Sequence, residues 1–94
     1  MKYTRIQYDM ENNAQIFGQA LQDTPIPEEF AEIVDGIDQH MACGIYVEPE
    51  LAKRFEAWVS ALPGFEDGPE YARTAILFYE NEEADEEDDV IITR

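Results

Sequence analysis

Acidic side chains dominate one short segment of this sequence. Eight of the ten residues in ENEEADEEDD, which spans 80 to 89 and which we call the acidic segment, are carboxylates. They are Glu80, Glu82, Glu83, Asp85, Glu86, Glu87, Asp88 and Asp89. A block of like charges repels itself, stays solvated and is often an interaction element. Since all of its charge is negative, we expect a positively charged partner.

A second acidic group lies on a predicted helix that opens at Pro27. Apolar residues recur there at helical spacing: Phe30, Ile33, Val34, Ile37 and Met41. The opposite side of the helix is acidic: Glu28, Glu32 and Asp35 form its centre, which we call the ridge, and Glu29 and Asp38 flank it. The ridge spans roughly 10 Å, whereas duplex DNA has one charge per about 1.7 Å of its axis. Only together with the acidic segment does it predict a phosphate-like surface, and a solvated face of an ordinary helix is the alternative.

The next predicted helix carries charge of both signs. Glu50 precedes Lys53 and Arg54 by three and four residues, so these charges pair within one helix. The negative excess is therefore concentrated on the ridge and the acidic segment. Solubility alone would not require that concentration, which favours an interaction surface.

Residue types needed for catalysis or metal binding are scarce. His40 and Cys43 lie close together, but the chain has a single histidine and acidic surroundings disfavour a thiolate. We therefore expect a buried cysteine and a histidine that interacts with the helix dipole. One His and one Cys cannot form a structural zinc site, and the acidic segment lacks the calcium-loop pattern, although weak divalent binding there stays open. Ser60 has no G-x-S-x-G context, so neither an enzyme nor a cofactor is expected.

The composition indicates a small folded protein. The chain has 94 residues, 45% of them hydrophobic, with 22 Asp and Glu against 6 Lys and Arg and a formal charge of -16. This predicts one domain with a modest core. A single cysteine allows no intramolecular disulfide, and no segment approaches the roughly 20 apolar residues of a membrane span, so a cytoplasmic protein without a signal peptide is expected. The net charge should repel nucleic acid and anionic lipid.

Two elements are predicted before Pro25. Lys2 to Tyr8 is rich in Tyr, Thr and Ile, as strands are. A helix follows, capped by Asn12 or Asn13. Its apolar face consists of Ile16, Phe17, Ala20 and Leu21.

The middle of the chain is predicted to hold two helices around a short extended piece. The second helix has Pro27 at its first position and ends near Gly44. Residues 45 to 47 are extended. The third helix starts at Pro49 and is terminated by Pro63 and Gly64. Its core stripe consists of Leu51, Phe55, Trp58, Val59 and Leu62.

The C-terminal part predicts a loop over 65 to 70 and then two strands. The strands, Arg73 to Tyr79 and Val90 to Thr93, fit an antiparallel hairpin closed by the acidic segment. A helix that starts at Pro69 and covers Glu70 to Leu77 is the alternative. The expected fold class is α+β, with about three helices packed on a small antiparallel sheet.

The second half of the chain resembles a known family. From Gly44 onward, GIYVEPELAKRFEAWVSAL, YARTAILFYE and VIITR resemble the C-terminal half of a small bacterial family of double-stranded-DNA mimics. The resemblance covers about half the chain and implies helices paired with a sheet under an acidic surface. In charge and size the chain is also similar to phage-encoded anti-restriction and anti-CRISPR proteins.

These observations predict an acidic inhibitor that occupies the basic nucleic-acid-binding surface of another protein. Direct binding to DNA or RNA is not expected. A first alternative is an acidic adaptor or subunit that binds a partner through apolar or edge-strand contacts, its charge serving solubility. A second alternative is a small enzyme or metal protein, for which the residues are lacking.

Overall fold

A computed structural model describes residues 2–9, 14–41, 43–65, 67–73 and 75–93. The elements in chain order are β1 (Lys2–Tyr8), α1 (Ala14–Leu21), α2 (Glu28–Gln39), β2 (Ile45–Val47), α3 (Pro49–Ser60), α4 (Pro69–Ala72), β3 (Ile76–Glu83) and β4 (Ile91–Ile92). The predicted α+β class is confirmed. The expected caps at Asn12 and Asn13, and the side chain of Ile16, lie outside the described part.

The four strands form one mixed sheet in the order β3-β1-β2-β4. β1 is antiparallel to both β2 and β3, and Ile6 stands opposite Ile45 on one side and Phe78 on the other. β4 is parallel to β2. The sequence predicts a purely antiparallel sheet, but the observed sheet is mixed.

The predicted strand, acidic connection and strand are present in that order, but the two strands do not pair with each other. β3 pairs with β1 and β4 with β2, so they occupy opposite edges of the sheet. The physical reason is length. β3 has eight residues and β4 has two, so a β3–β4 hairpin would leave most hydrogen-bonding groups of β3 unpaired, whereas the seven-residue β1 satisfies them.

The helices cover one face of the sheet. α2 packs against β2 and β1, and α3 packs against β1 and α4. Phe55 of α3 lies at the centre of the core, with its ring centroid 6.3 Å from that of Phe17, 5.6 Å from Phe30 and 6.2 Å from Phe78. Trp58 is half-buried and packs on the same cluster, 5.9 Å from Phe55. The predicted core stripe of α3 is confirmed.

Helix α2 follows the predicted apolar pattern except at its end. The predicted positions Phe30, Ile33, Val34 and Ile37 are buried. Met41 was expected in the core but is 42% exposed, because the helix ends at Gln39 and the chain then turns. Pro27 is the residue before the first helical position rather than that position itself.

Two glycines bring α2 and the sheet close together. A Cβ at Gly36 would lie 3.0 Å from side-chain atoms of Ile45, so this glycine lets the helix approach β2. Gly44 has a φ of +78°, and a Cβ there would lie 2.7 Å from the carbonyl oxygen of Ile6. Gly44 therefore makes the turn into β2 rather than ending the helix directly.

The region around α4 combines the two alternatives that the sequence left open. A helix does begin at Pro69, but it ends at Ala72, and the strand starts at Ile76. β3 then continues through Glu83, so the first four residues of the acidic segment belong to a strand and not to a loop. The register of β1 and β3 shifts between Tyr3 and Arg5, and Asn81 has a φ of 61°.

Candidate acidic interaction surface

The ridge lies on the solvent side of α2. Glu28, Glu32 and Asp35 are exposed, opposite the buried apolar face. Glu28 also stands in the first turn, where the helix dipole favours negative charge. Within the described residues, none of these three carboxylates forms a hydrogen bond or an ion pair.

The two residues that flank the ridge have partners. Glu29 forms an ion pair with Arg54 of α3, with 3.5 Å between Oε2 and Nε. The hydroxyl of Tyr8 donates a hydrogen bond to Oδ1 of Asp38 over 2.6 Å. Burial, followed by this hydrogen bond and the negative charge of Asp38, raises the pKa of the Tyr8 phenol. Glu29 therefore adds less free charge than predicted, whereas Asp38 keeps its charge but is held by its hydrogen bond to Tyr8.

The part of the acidic segment that lies in β3 is partly neutralised by β1. Glu83 pairs with Lys2 at 3.3 Å, and Glu82 pairs with Arg5 at 3.4 Å. The Arg5 guanidinium also lies 4.4 Å from the ring centroid of Tyr79. Cross-strand pairs of opposite charge stabilise a sheet, which explains how the strand continues into the acidic segment. Glu80 is exposed at the same edge of the sheet.

The remainder of the acidic segment folds into one tight turn. The backbone N–H of Asp89 donates to the carbonyl oxygen of Asp85 over 2.8 Å, and the N–H of Asp85 donates to Oδ2 of Asp89 over 2.7 Å. Oδ1 of Asp85 accepts from the N–H of Glu87 over 2.9 Å. Short Asp side chains are suited to such contacts with nearby backbone. Asp85 and Asp89 therefore shape the turn.

The tip of this turn consists of Glu86, Glu87 and Asp88, whose side chains are exposed. Their carboxylates make no hydrogen bond or ion pair within the described part of the chain. We refer to the three ridge residues and the three tip residues together as the open carboxylates. They are Glu28, Glu32, Asp35, Glu86, Glu87 and Asp88.

The predicted site residues lie near the two opposite edges of the sheet. The connection from 84 to 90 leaves β3 at one edge and reaches β4 at the other, where the N–H of Tyr46 donates to the carbonyl oxygen of Val90 over 2.8 Å. α2 packs over that second edge, since a Cβ at Gly36 would lie 3.7 Å from Ile92. The C-terminal end of the turn thus approaches the side that carries α2, whereas Glu80 remains at the β3 edge.

Two other expectations concern chemistry at the end of α2. The backbone N–H of His40 caps the helix by donating to the carbonyl oxygen of Gly36 over 2.9 Å. Cys43 was expected to be buried but is exposed, because it stands in the turn after the helix. Across the described ranges, no group of three or more His, Cys, Asp or Glu is arranged to hold a metal ion.

A cavity with basic side chains around it was not among the sites expected from the sequence. Lys2, Lys53 and Arg73 line a cavity of about 170 Å³ that lies between β1, β3 and α3. These residues are far apart in the sequence and lie in different parts of the fold, so no local sequence pattern predicts the cluster. The largest basic patch visible in the sequence is Lys53 and Arg54.

Comparison of the chain with protein-family models, with curated proteins and with solved structures finds no match. No helix in the described ranges has both the length and the apolar character needed to cross a bilayer.

Proposed function

We propose that this protein is an acidic inhibitor that occupies the basic nucleic-acid-binding surface of another protein. The observation that carries the proposal is the set of six open carboxylates, which stand exposed on two segments without a cation partner among the described residues. They present negative charge in the way that phosphates do. Inhibition is competitive, because the same Lys and Arg of the partner cannot hold both a phosphate and a carboxylate.

The distribution of the basic residues supports this proposal. Each of the five Lys and Arg in the described ranges forms an ion pair, and none of these pairs involves an open carboxylate. The partners are Glu83, Glu82, Glu50, Glu29 and Glu56. The open carboxylates are therefore left without a cation among the described residues, and an external cation can neutralise them.

The chemistry of the contact follows from the carboxylates. Arg on the partner can bind a carboxylate through two parallel N–H bonds, which makes such pairs the strongest. Opposite net charges also steer the two proteins together, so association should be fast and should slow as salt is added. The protein alone should not retard labelled duplex DNA in a gel at physiological salt, because both molecules are polyanions.

The test is capture of partners from a host lysate at low and high salt, followed by competition between this protein and labelled nucleic acid for the captured partner. Two variants delete open charge while keeping size: the ridge set E28Q/E32Q/D35N and the tip set E86Q/E87Q/D88N. Each should weaken binding by about 1 to 4 kcal/mol, and the loss should shrink at high salt.

The matched control is D23N/E50Q/E70Q, which removes the same number of exposed carboxylates from outside the ridge and the tip. It should bind like the parent protein. Glu56 is unsuitable as a control because its ion pair with Arg73 is close, at 2.6 Å, and partly buried, whereas the pair of Glu50 with Lys53 is long and exposed. If the ridge and tip sets also bind like the parent, or if the captured partner keeps its nucleic acid, the proposal is wrong.

The adaptor alternative has one observation in its favour. β3 is an edge strand of eight residues, and a long edge can pair with a strand of another protein. Tyr79 of this strand is 39% exposed. This alternative predicts binding that tolerates salt, loses little in the ridge and tip sets, and is abolished by Tyr79→Asp.

A further inference from the structure

The cavity between β1, β3 and α3 combines basic groups with an apolar wall. Three of the chain's six Lys and Arg line it. Pro49, Ala52 and Phe78 supply apolar surface, and the buried Thr4 supplies a hydroxyl. In a chain with a formal charge of -16, this concentration of cations is against the general trend.

We propose that this cavity binds a small organic monocarboxylate whose apolar part is about the size of one ring. The volume of about 170 Å³ sets the size, since an apolar cavity of about 150 Å³ holds benzene. The apolar wall receives the ring, and the lysines receive the carboxylate. The site is separate from the open carboxylates, so it does not depend on the inhibitor proposal.

The charges around the cavity favour a monoanion over a dianion. Glu56 and Glu80 also line it, so the lining itself has three cations and two carboxylates, while Glu83 and Glu50 contact the two lysines from outside the lining. Nη2 of Arg73 lies 2.6 Å from the buried Oε2 of Glu56, in an ion pair without the alignment of a hydrogen bond. The guanidinium of Arg73 is 5.4 Å from the ring centroid of Phe78. Arg73 and Glu56 thus neutralise each other and fix one wall.

The two lysines are free to change partners. Lys2 contacts Glu83 at 3.3 Å with side chains 57% and 65% exposed, and Lys53 contacts Glu50 at 3.9 Å with both side chains 70% exposed. Exposed pairs of this kind contribute little to stability. A ligand carboxylate that also places a ring against the apolar wall can therefore replace Glu83 and Glu50.

The test is a titration of ¹⁵N-labelled protein with benzoate, followed by amide chemical shifts. Saturable shifts are expected at lining residues such as Thr4, Ala52 and Asn81. The variant K2Q/K53Q should bind benzoate about 5-fold more weakly or worse, because two cation contacts are lost. R54Q is the control. It removes an exposed cation that does not line the cavity, and it should leave the affinity for benzoate unchanged.

Two further probes separate the parts of the ligand. Benzyl alcohol keeps the ring without the charge, and acetate keeps the charge without the ring, so both should bind more weakly than benzoate. If acetate binds as tightly as benzoate, the apolar wall takes no part in binding. If benzyl alcohol binds as tightly as benzoate, the lysines take no part. Either result overturns the proposal, as does the absence of saturation or an unchanged affinity in K2Q/K53Q.

Discussion

Helices α2 and α3 have the same length, twelve residues, but they use their carboxylates differently. On α3 each carboxylate has a partner: Glu50 pairs with Lys53 and Glu56 with Arg73. On α2 the ridge has none among the described residues. The carboxylates of α3 are thus neutralised within the fold, whereas the ridge adds repulsion that the fold does not need. The difference is what makes the ridge a candidate for binding.

The two helices also begin differently. The side chain of Glu48 caps α3 by accepting hydrogen bonds from the N–H groups of Glu50 and Leu51, over 3.1 and 3.0 Å, and Pro49 follows at the first position. Pro27 precedes α2 without a side-chain cap. Local signals therefore build α3, while α2 depends more on its packing against the sheet.

The largest effect is expected from the core residue that α3 contributes. Phe55→Ala removes a fully buried ring that contacts three other phenylalanines, and should cost about 3 to 5 kcal/mol of unfolding free energy. Urea unfolding followed by circular dichroism measures it. Met41→Ala, at an exposed position after α2, should change the free energy by less than about 0.5 kcal/mol. Comparable losses in both variants would contradict the placement of the core.

The next largest effect is expected from the hydrogen bond that joins β1 to α2. Tyr8→Phe deletes the hydrogen bond to Asp38 and should cost about 1 to 2 kcal/mol at neutral pH. Because the folded state raises the pKa of Tyr8, its contribution is complete below the ordinary value of 10.0 and is lost as pH rises through the folded value. The stability difference between parent and variant should therefore narrow as the pH rises above 10.0. Chemical unfolding at pH 8 and at higher pH tests this, and a constant difference would count against it.

A smaller loss is expected at the start of α3. Glu48→Ala removes the side chain that accepts two helical N–H groups and should cost about 1 kcal/mol. Glu48→Asp keeps an accepting carboxylate and should recover part of the stability. Thermal melts of the parent, Glu48→Ala and Glu48→Asp measure these differences. An unchanged melting temperature in Glu48→Ala would show that the side-chain cap does not distinguish the start of α3 from that of α2.

The smallest effect has the opposite sign. Glu32→Gln on the ridge removes repulsion and should raise stability at low salt by about 0.2 to 0.5 kcal/mol. Glu50→Gln is the matched change on α3. It loses the pair with Lys53 and should not raise stability. Added sodium chloride should raise the melting temperature of the parent. It should also reduce the stability that Glu32→Gln gains over the parent. A parent that melts at the same or a lower temperature in salt would refute the role of self-repulsion.

The local parts of the fold could be predicted because local signals specify them. Helical spacing and the prolines located α2 and α3, and the content of Tyr, Thr and Ile located β1. Strand pairing could not be predicted, since it depends on contacts such as Tyr46 with Ile91 that join distant parts of the chain. Gly36 likewise gave no signal, because its importance lies in the side chain of Ile45 that it accommodates.

The candidate site shows the same division. The sequence places the ridge on the correct helix, but it places Glu80, Glu82 and Glu83 in a loop, whereas they lie in β3. It also does not show which carboxylates find partners within the fold. Glu82 and Glu83 find cations on β1, Asp85 and Asp89 bind backbone, and Asp38 accepts from Tyr8. Each of these contacts depends on geometry, so composition alone overestimates the number of carboxylates that are free to contact a partner.

The acidic connection between opposite edges of the sheet has a consequence for the rate of folding. The last strand can join only after the chain closes a loop between Tyr46 and Ile91, and parallel pairing over such a separation is slow. The connection must be compacted in the same step, with its carboxylates brought near one another. Counterions that screen this repulsion lower the barrier as well as stabilising the product. Salt should therefore raise the refolding rate constant. A protein refolded in dilute buffer should reach its complete sheet more slowly than one refolded at the ionic strength of a cell.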